Sequence, residues 1–500
     1  MSNNYFNHIP CGQTLPVNNV HAVSVSMPNL QDVIDYEEQT PEILEIIKSG
    51  YPRFILHPYL KQLASFIKEK YGVSDSYEVV LLSSQRAVKL VSDKYYIHNK
   101  IEINEPFGVI LVQNGTCQLQ RVLSYIQHVG CNLSSRLAEK YLFEKGLIAS
   151  LHQEELEDET TSKDIVISTL ASAYKQPKEN VYLAPSGMNA IYSVVRGINS
   201  IQAKNGRTVL VQLGWLYLDT MNIVNHHYQE QKSFPHLDKL ELLEEYLKEN
   251  GLKVSAIITE IPTNPLLKCF DLKKVRALCD KYNIPLIIDT TFATPYNLDL
   301  TSYADIFVES LTKFACGNAD VLMGAIILNK KHTLSHMNWE FFKHCEPVYI
   351  KEIQRLAFEI KDYEKRVKTI SLNTKKLISY LEKTSFIKKV YHCMDENNKE
   401  LYSQAIIDEN SYCGVISVEF NKPLTQSYDK LNFAKGPSLG TEFTLLMPYT
   451  YLAHYDLIQT KQGREHLKEV GLPIDLIRIS VGVEPIEEII NEFEKLKESN

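Results

Sequence analysis

Residues 254–291 read VSAIITEIPTNPLLKCFDLKKVRALCDKYNIPLIIDTT, and the alternation within this stretch decides the fold. VSAIITEIP and IPLIIDTT are short apolar runs rich in β-branched residues, suited to buried strands, and between them LKKVRALCDKYN has its apolar residues at helical spacing. Strand, helix and strand make a βαβ unit, which implies parallel strands. The pattern continues in both directions. Upstream, MNAIYSVVRGINSIQAKNG predicts a helix, RTVLVQL a strand and LDKLELLEEYLKENG a helix. Downstream, ADIFVES and MGAIILN extend the same sheet. In such sheets ligands bind beyond the carboxyl ends of the strands, so residues just past these runs are candidates for a site.

The rest of the chain is organised around this segment. Residues 1–60 read as an extended arm rich in Asn and Pro that leads into a short helix at DVIDYEEQTPEILEIIKSG. Residues 61–160 read as an inserted α/β segment, with strands at YEVVLL (77–82) and FGVILV (107–112) and a helix around CQLQRVLSYIQHVG. The acidic run HQEELEDETTSKD (152–164) reads as a solvated linker or helix start without chemistry of its own. The sheet occupies 161–345. After Pro347 a long helical pattern, strands GVISVEF and LIRISVGV and a closing helix predict a smaller α+β domain over 346–500.

Composition narrows the function. A chain of 500 residues, 44% hydrophobic and 23% charged, is long enough for two or three packed domains. Its formal net charge of -8 gives no global basic field for nucleic acid, which favours small-molecule chemistry or protein partners. The nine cysteines contain no C-x-x-C pair, so a disulfide framework and a zinc module are not indicated, no metal site is expected, and a reducing, cytoplasmic setting fits. MSNNYFNHIPCGQTLPVNN lacks the features of a signal peptide, and no apolar stretch approaches the roughly 18 to 20 residues of a membrane span.

Three features fall at strand ends. Asp289 closes the strand IPLIID. In PSGMNA (185–190), Gly187 and the helix start behind it offer backbone N–H groups and a positive dipole end to a phosphate. Lys313, in ESLTKFACGNADVLMGA (309–325), follows a strand by a few residues and has Ser310 and Thr312 beside it. A phosphate cradle, a carboxylate and a buried amine together point to pyridoxal phosphate. Such a lysine condenses with the cofactor aldehyde, and the aspartate keeps the pyridine nitrogen protonated so that the ring accepts electrons.

With TEIPTNPLLKCFDL, IIDTTFATP and LIRISVGVE added to PSGMNAIYSVV and the lysine block, the chain resembles the pyridoxal-phosphate-dependent Cys/Met-metabolism enzymes, which include cystathionine γ-synthase and γ-lyase. The resemblance runs from about Tyr182 to the C terminus. It implies a fold-type I transferase with a large, mostly parallel sheet domain and a smaller C-terminal domain. It makes Lys313 the aldehyde-binding lysine and Asp289 the pyridine partner, with Gly187, Met188, Ser310 and Thr312 at the phosphate. Asn264 falls near the cofactor's phenolic oxygen and Thr291 by its ring. Arg478 and Ser438 fall where the family binds the substrate α-carboxylate. GYPRF (50–54) resembles the element by which Tyr51 and Arg53 of one subunit would reach the phosphate of its neighbour, which implies a homodimer or homotetramer with shared sites.

Departures from the pattern bear on the substrate. Leu213 stands where a ring-stacking tyrosine is usual, with Trp215 and Tyr217 as candidate replacements. Asn318 replaces a histidine, and SLGTEFT places Phe443 where glutamate is common, with Glu442 one place early. The long insertion and the GTEFT element resemble the longer, fungal-type cystathionine γ-synthases. That favours γ-replacement on an O-acylhomoserine with cysteine over a γ-lyase reaction, over replacement by another nucleophile in specialised amino-acid metabolism, and over a non-catalytic regulator on the same fold.

Overall fold

The computed structural model describes residues 5–228, 230–331, 341 and 343–497. At its centre is a seven-stranded sheet: β1 (Val181–Ala184), β2 (Val209–Leu213), β3 (Glu230–Phe234), β4 (Val254–Glu260), β5 (Leu286–Asp289), β6 (Ile306–Glu309) and β7 (Gly324–Leu328), in the order β1-β7-β6-β5-β4-β2-β3. Every residue of β4 is buried. The reason is that helices cover both faces, so alternate side chains of one strand enter two different cores. Ile257 and Ile288 pack with Leu170, Leu247 and Val275 on one face; Ile258 and Ile287 pack with Ile191, Val195 and Val224 on the other. Each such side chain, fully withdrawn from water, contributes about 1.5–3 kcal/mol.

Strands β2 to β6 run parallel, as the alternation predicts. β7 belongs to the sheet but runs antiparallel to both β6 and β1. Residues 310–323 contain no crossover helix, so the chain turns back beside the strand it has just left. That turn carries Lys313.

The inserted segment is antiparallel rather than βαβ: Tyr77–Leu82 pairs with Gly108–Gln113 in register Tyr77↔Gln113, and Lys100–Ile101 completes three strands. The helix Gln85–Tyr95 is therefore not a crossover between parallel neighbours. The helix Cys117–Val129 lays Val122, Ile126 and Val129 into the core that also holds the helix Gly187–Gln202. The acidic run is less solvated than expected. Asp158 caps the helix Glu159–Ala173 by accepting the Thr160 N–H, but Glu154 is buried in a 2.6 Å ion pair with Arg136.

The C-terminal part carries a five-stranded sheet whose adjacent strands Val415–Phe420 and Ile477–Ser480 are antiparallel, with Ser417 opposite Arg478. Short strands at Ile387–Tyr391, Ala434–Lys435 and Leu445–Pro448, not expected from the sequence, complete it. The arm folds onto its own chain. The Val23 N–H donates to the Ala319 carbonyl at 2.8 Å and the Met27 N–H to the Lys435 carbonyl at 2.9 Å. Among the described residues no helix is long and apolar enough to cross a membrane.

Candidate active site

The carboxyl ends of β4, β5 and β6 open into a cavity of about 510 Å³. Lys313 lies at its floor, with its side chain partly open to the cavity. Its Nζ donates to Ser438 Oγ at 2.8 Å and lies 4.7 Å from the centre of the Tyr51 ring. Burial, and then the positive charges of Arg478 and Arg53, hold the amine well below the usual lysine range, a shift that favours its nucleophilic form. Gly440 enables this packing: a β-carbon there would lie 2.8 Å from the Lys313 carbonyl carbon and 2.6 Å from the Phe314 nitrogen. Two residues earlier Ser438 adopts φ of 90°, unusual for a residue with a side chain. The strain is held by the hydroxyl bond to Lys313 and by the Arg478 guanidinium donating to the Ser438 carbonyl at 2.9 Å.

Asp289 ends β5 facing the same cavity, where its Oδ1 accepts the Thr291 N–H at 2.9 Å. The neighbouring strand end supplies Glu260, which accepts the Tyr217 N–H at 2.6 Å. Burial raises both acids, and the charge of Asp289 pushes Glu260 up to about 8. The Thr291 N–H opposes that rise at Asp289, as the Tyr217 and Asn264 N–H groups do at Glu260. Glu260 was not singled out from sequence. The strand-end rule that selected Asp289 applies to it equally.

Opposite these acids, the helix Gly187–Gln202 starts at the cavity, with Ser186 as its cap accepting the Asn189 N–H. The N–H groups of Gly187 and Met188 have no partner within the helix because they belong to its first turn. A β-carbon on Gly187 would come within 2.8 Å of the Ser310 side chain, so only glycine lets the helix start and Ser310 form one concave surface. Ser310 and Thr291 are joined there, the Ser310 N–H donating to the Thr291 hydroxyl at 2.9 Å. Thr312, expected beside them, is turned away: its hydroxyl bonds to both the N–H and the carbonyl of Met323. With no crossover helix after β6, this hydroxyl closes the lysine turn instead.

Arg478 enters from the smaller sheet. It donates to Asn264 Oδ1 at 3.2 Å, lies over the Tyr449 ring at 5.3 Å, and has no ion pair with a carboxylate among the described residues. A buried guanidinium without an anion is suited to receive one. Asn264 is thereby placed between this cation and the lysine turn.

Tyr51 and Arg53 line the cavity of the chain that carries them, whereas the resemblance implied reach into a neighbour. Arg53 is fully buried, ion-paired to Asp219 at 2.8 Å, and donates to the Tyr217 hydroxyl and the Gln127 carbonyl. Its Nε is buried without a partner among the described residues. Of the two candidate aromatics Tyr217 lines the cavity, while Leu213 is in the core and Trp215 packs against His454 and His466. The other departures lie outside the cavity. Asn318 donates to Glu359, Glu442 pairs with Arg366, and Phe443 stacks on Tyr5 of the arm at 4.1 Å.

These donors fit pyridoxal phosphate. A lysine amine held well below its usual range suits the aldehyde, a strand-end carboxylate the pyridine nitrogen, and a helix start with Ser310 and an under-bonded arginine the phosphate. Comparison with known proteins agrees. The profile of the Cys/Met metabolism PLP-dependent enzymes matches residues 160–496. The chain is 35% identical over 480 residues to L-2-amino-4-chloropent-4-enoate dechlorinase/desaturase of Streptantibioticus cattleyicolor, covering 95% of each chain. It is 27% identical to cystathionine gamma-synthase of Neurospora crassa, covering 96% of this chain and 97% of that one. Among solved structures, cystathionine gamma synthase from Xanthomonas oryzae superposes with a TM-score of 0.58 at 18% identity, covering 68% of this chain and 85% of the other. Cystathionine gamma-lyase from Lactobacillus plantarum does so with a TM-score of 0.57 at 21% identity, over 70% and 91%.

Proposed function

The chain belongs to the Cys/Met metabolism PLP-dependent enzymes, and from that premise we propose that it displaces a γ-substituent from an L-α-amino acid. The leading form of the reaction is attack by cysteine sulfur on an O-acylhomoserine, giving cystathionine, the transsulfuration step towards methionine. The observation that carries this reading is the Lys313 amine held between Ser438 and Tyr51, with Arg478, which has no carboxylate partner among the described residues, in the same cavity.

When bound, pyridoxal phosphate supplies an aldehyde that captures amines and a ring that takes up the electron pair left at Cα. The protein's own residues do the rest. Arg478 grips the α-carboxylate with its planar fork and, with Asn264, fixes which Cα bond faces Lys313. The freed amine of Lys313 takes the Cα proton and then serves Cβ, which loss of a γ-substituent requires. Ser438 and the Tyr51 ring hold Nζ in place between transfers. Asp289 offers its carboxylate to the pyridine nitrogen, and Tyr217 offers an aromatic face to the ring.

A second reading, loss of the γ-substituent without an incoming nucleophile, is favoured by the similarity to the dechlorinase/desaturase over nearly the full length of both chains. Product analysis separates the two. With an O-acylhomoserine and cysteine, cystathionine is the expected product; formation of α-ketobutyrate and ammonia alone, with cysteine left unconsumed, would transfer the assignment to elimination. A reducing, cytoplasmic setting is supported by nine free cysteines, six of them buried.

We further propose that the homo-oligomer implied by the resemblance holds complete sites rather than shared ones, because Arg53, Tyr51 and Gln127 all serve the cavity of their own chain. Mixed oligomers of a Lys313→Ala chain and an Arg53→Ala chain should then contain no site with wild-type cofactor affinity. Recovery of one such site per pair, measured by cofactor titration, would show that the arm serves its neighbour.

A further inference from the structure

The cavity runs outward from Lys313 to a mouth between the arm helix Leu30–Glu38 and the short helices Tyr449–Ala453 and Tyr455–Gln459. Tyr455 ties the two walls by donating to Glu38 at 2.6 Å. Charge is distributed unevenly along this path. Three cations line it, and each is committed: Arg53 to Asp219, Lys313 to the cofactor aldehyde, and Arg478 to the substrate α-carboxylate. Among the described residues no other lysine or arginine lines the cavity. The charged side chains at the mouth are Glu37 and Asp456, close enough that burial and the Asp456 charge push Glu37 up to about 7. The remaining lining includes the apolar side chains Val25, Met27, Ile55 and Leu452, with uncharged Tyr36, Gln39 and Tyr449.

We propose that the γ-substituent accepted by this site carries no negative charge, an acetyl ester or another neutral leaving group rather than a succinyl or phosphoryl ester. The inference rests on the γ-chemistry reading above. A second anion on the substrate would lie either against uncharged side chains without a counter-charge or at the acidic mouth, and both placements disfavour binding and transition state alike. The apolar side chains also match a short acyl group, whose methyl needs no polar partner.

The test compares O-acetyl-L-homoserine with O-succinyl-L-homoserine, each with cysteine, on the wild-type holoenzyme. The acetyl ester should have a kcat/KM higher by at least about tenfold, since juxtaposed like charges discriminate strongly. In a Glu37→Gln, Asp456→Asn double variant that ratio should fall, through faster use of the succinyl ester. Equal or preferential use of the succinyl ester by the wild type would overturn this inference alone. Turnover of neither ester, in protein that retains its bound cofactor, would overturn the γ-chemistry reading and this inference with it.

Discussion

Lys313→Ala should abolish the visible absorbance of lysine-bound cofactor and lower kcat by about 10²- to 10⁴-fold from the lost proton transfers alone. The two effects share one cause. On the proposed reading the amine captures the cofactor aldehyde and, once displaced by the substrate amine, is the one lysine on the cavity wall among the described residues. The variant should also denature at an unchanged or higher temperature in the absence of cofactor. Burial and two neighbouring guanidinium groups depress the affinity of Lys313 for protons, so its removal relieves a desolvation cost rather than a favourable contact. The one bond lost is the hydrogen bond to Ser438. An absorbance scan and a thermal melt on the same preparation check both parts, and a yellow Lys313→Ala protein would remove the residue from the role given to it.

Asp289→Asn is expected to have the second largest effect, a fall in kcat of about 10²- to 10³-fold, comparable with loss of a dedicated charge stabiliser in other sites. Asparagine preserves the shape of the strand end but removes the charge that keeps the pyridine nitrogen protonated. The neighbouring Glu260 cannot substitute. It already accepts the Tyr217 N–H at 2.6 Å and also lies near the Asn264 N–H, so it is oriented along the backbone of its own loop. Relief from the Asp289 charge should lower its pKa from about 8, which is observable as a shift in the alkaline limb of the pH profile of any residual activity. Wild-type turnover in this variant would mean that the ring's electrostatics are set elsewhere.

What the sequence made legible, and what it hid, follows from the range of the interactions involved. The parallel core was readable because β4 and β5 are buried on both faces, which forces continuous apolar runs, and the helix between them keeps its own period. Lys313 and Asp289 were readable because each follows or closes such a run, where side chains converge on the carboxyl edge of a sheet, whereas Arg478 was legible only through the family resemblance. The direction of β7 was not, since MGAIILN would be equally apolar either way and only the connection decides. Nor was the orientation of Thr312, which depends on the Met323 backbone eleven residues on. The arm was the largest omission. Its contacts join His21 to Glu139, Arg53 to Asp219 and Met27 to Lys435, pairs far apart in sequence with no local pattern that could announce them.

The same long-range packing explains why the changed residues of the lysine and SLG blocks mislead. Asn318 and Phe443 depart from the family pattern, yet the structure commits one to Glu359 and the other to Tyr5, away from the cavity. The residues that meet the distal end of a substrate, Glu37 and Asp456, come from segments that carry no motif.

The central claim, that Lys313 carries the cofactor, is tested most directly by borohydride reduction of the purified holoenzyme followed by peptide mass spectrometry. Reduction locks the cofactor to the nitrogen that bears it. The mass of reduced pyridoxal phosphate should appear on the peptide containing Lys313, at about one per chain. Its appearance on another lysine, or on none in protein shown to bind the cofactor, would contradict the account.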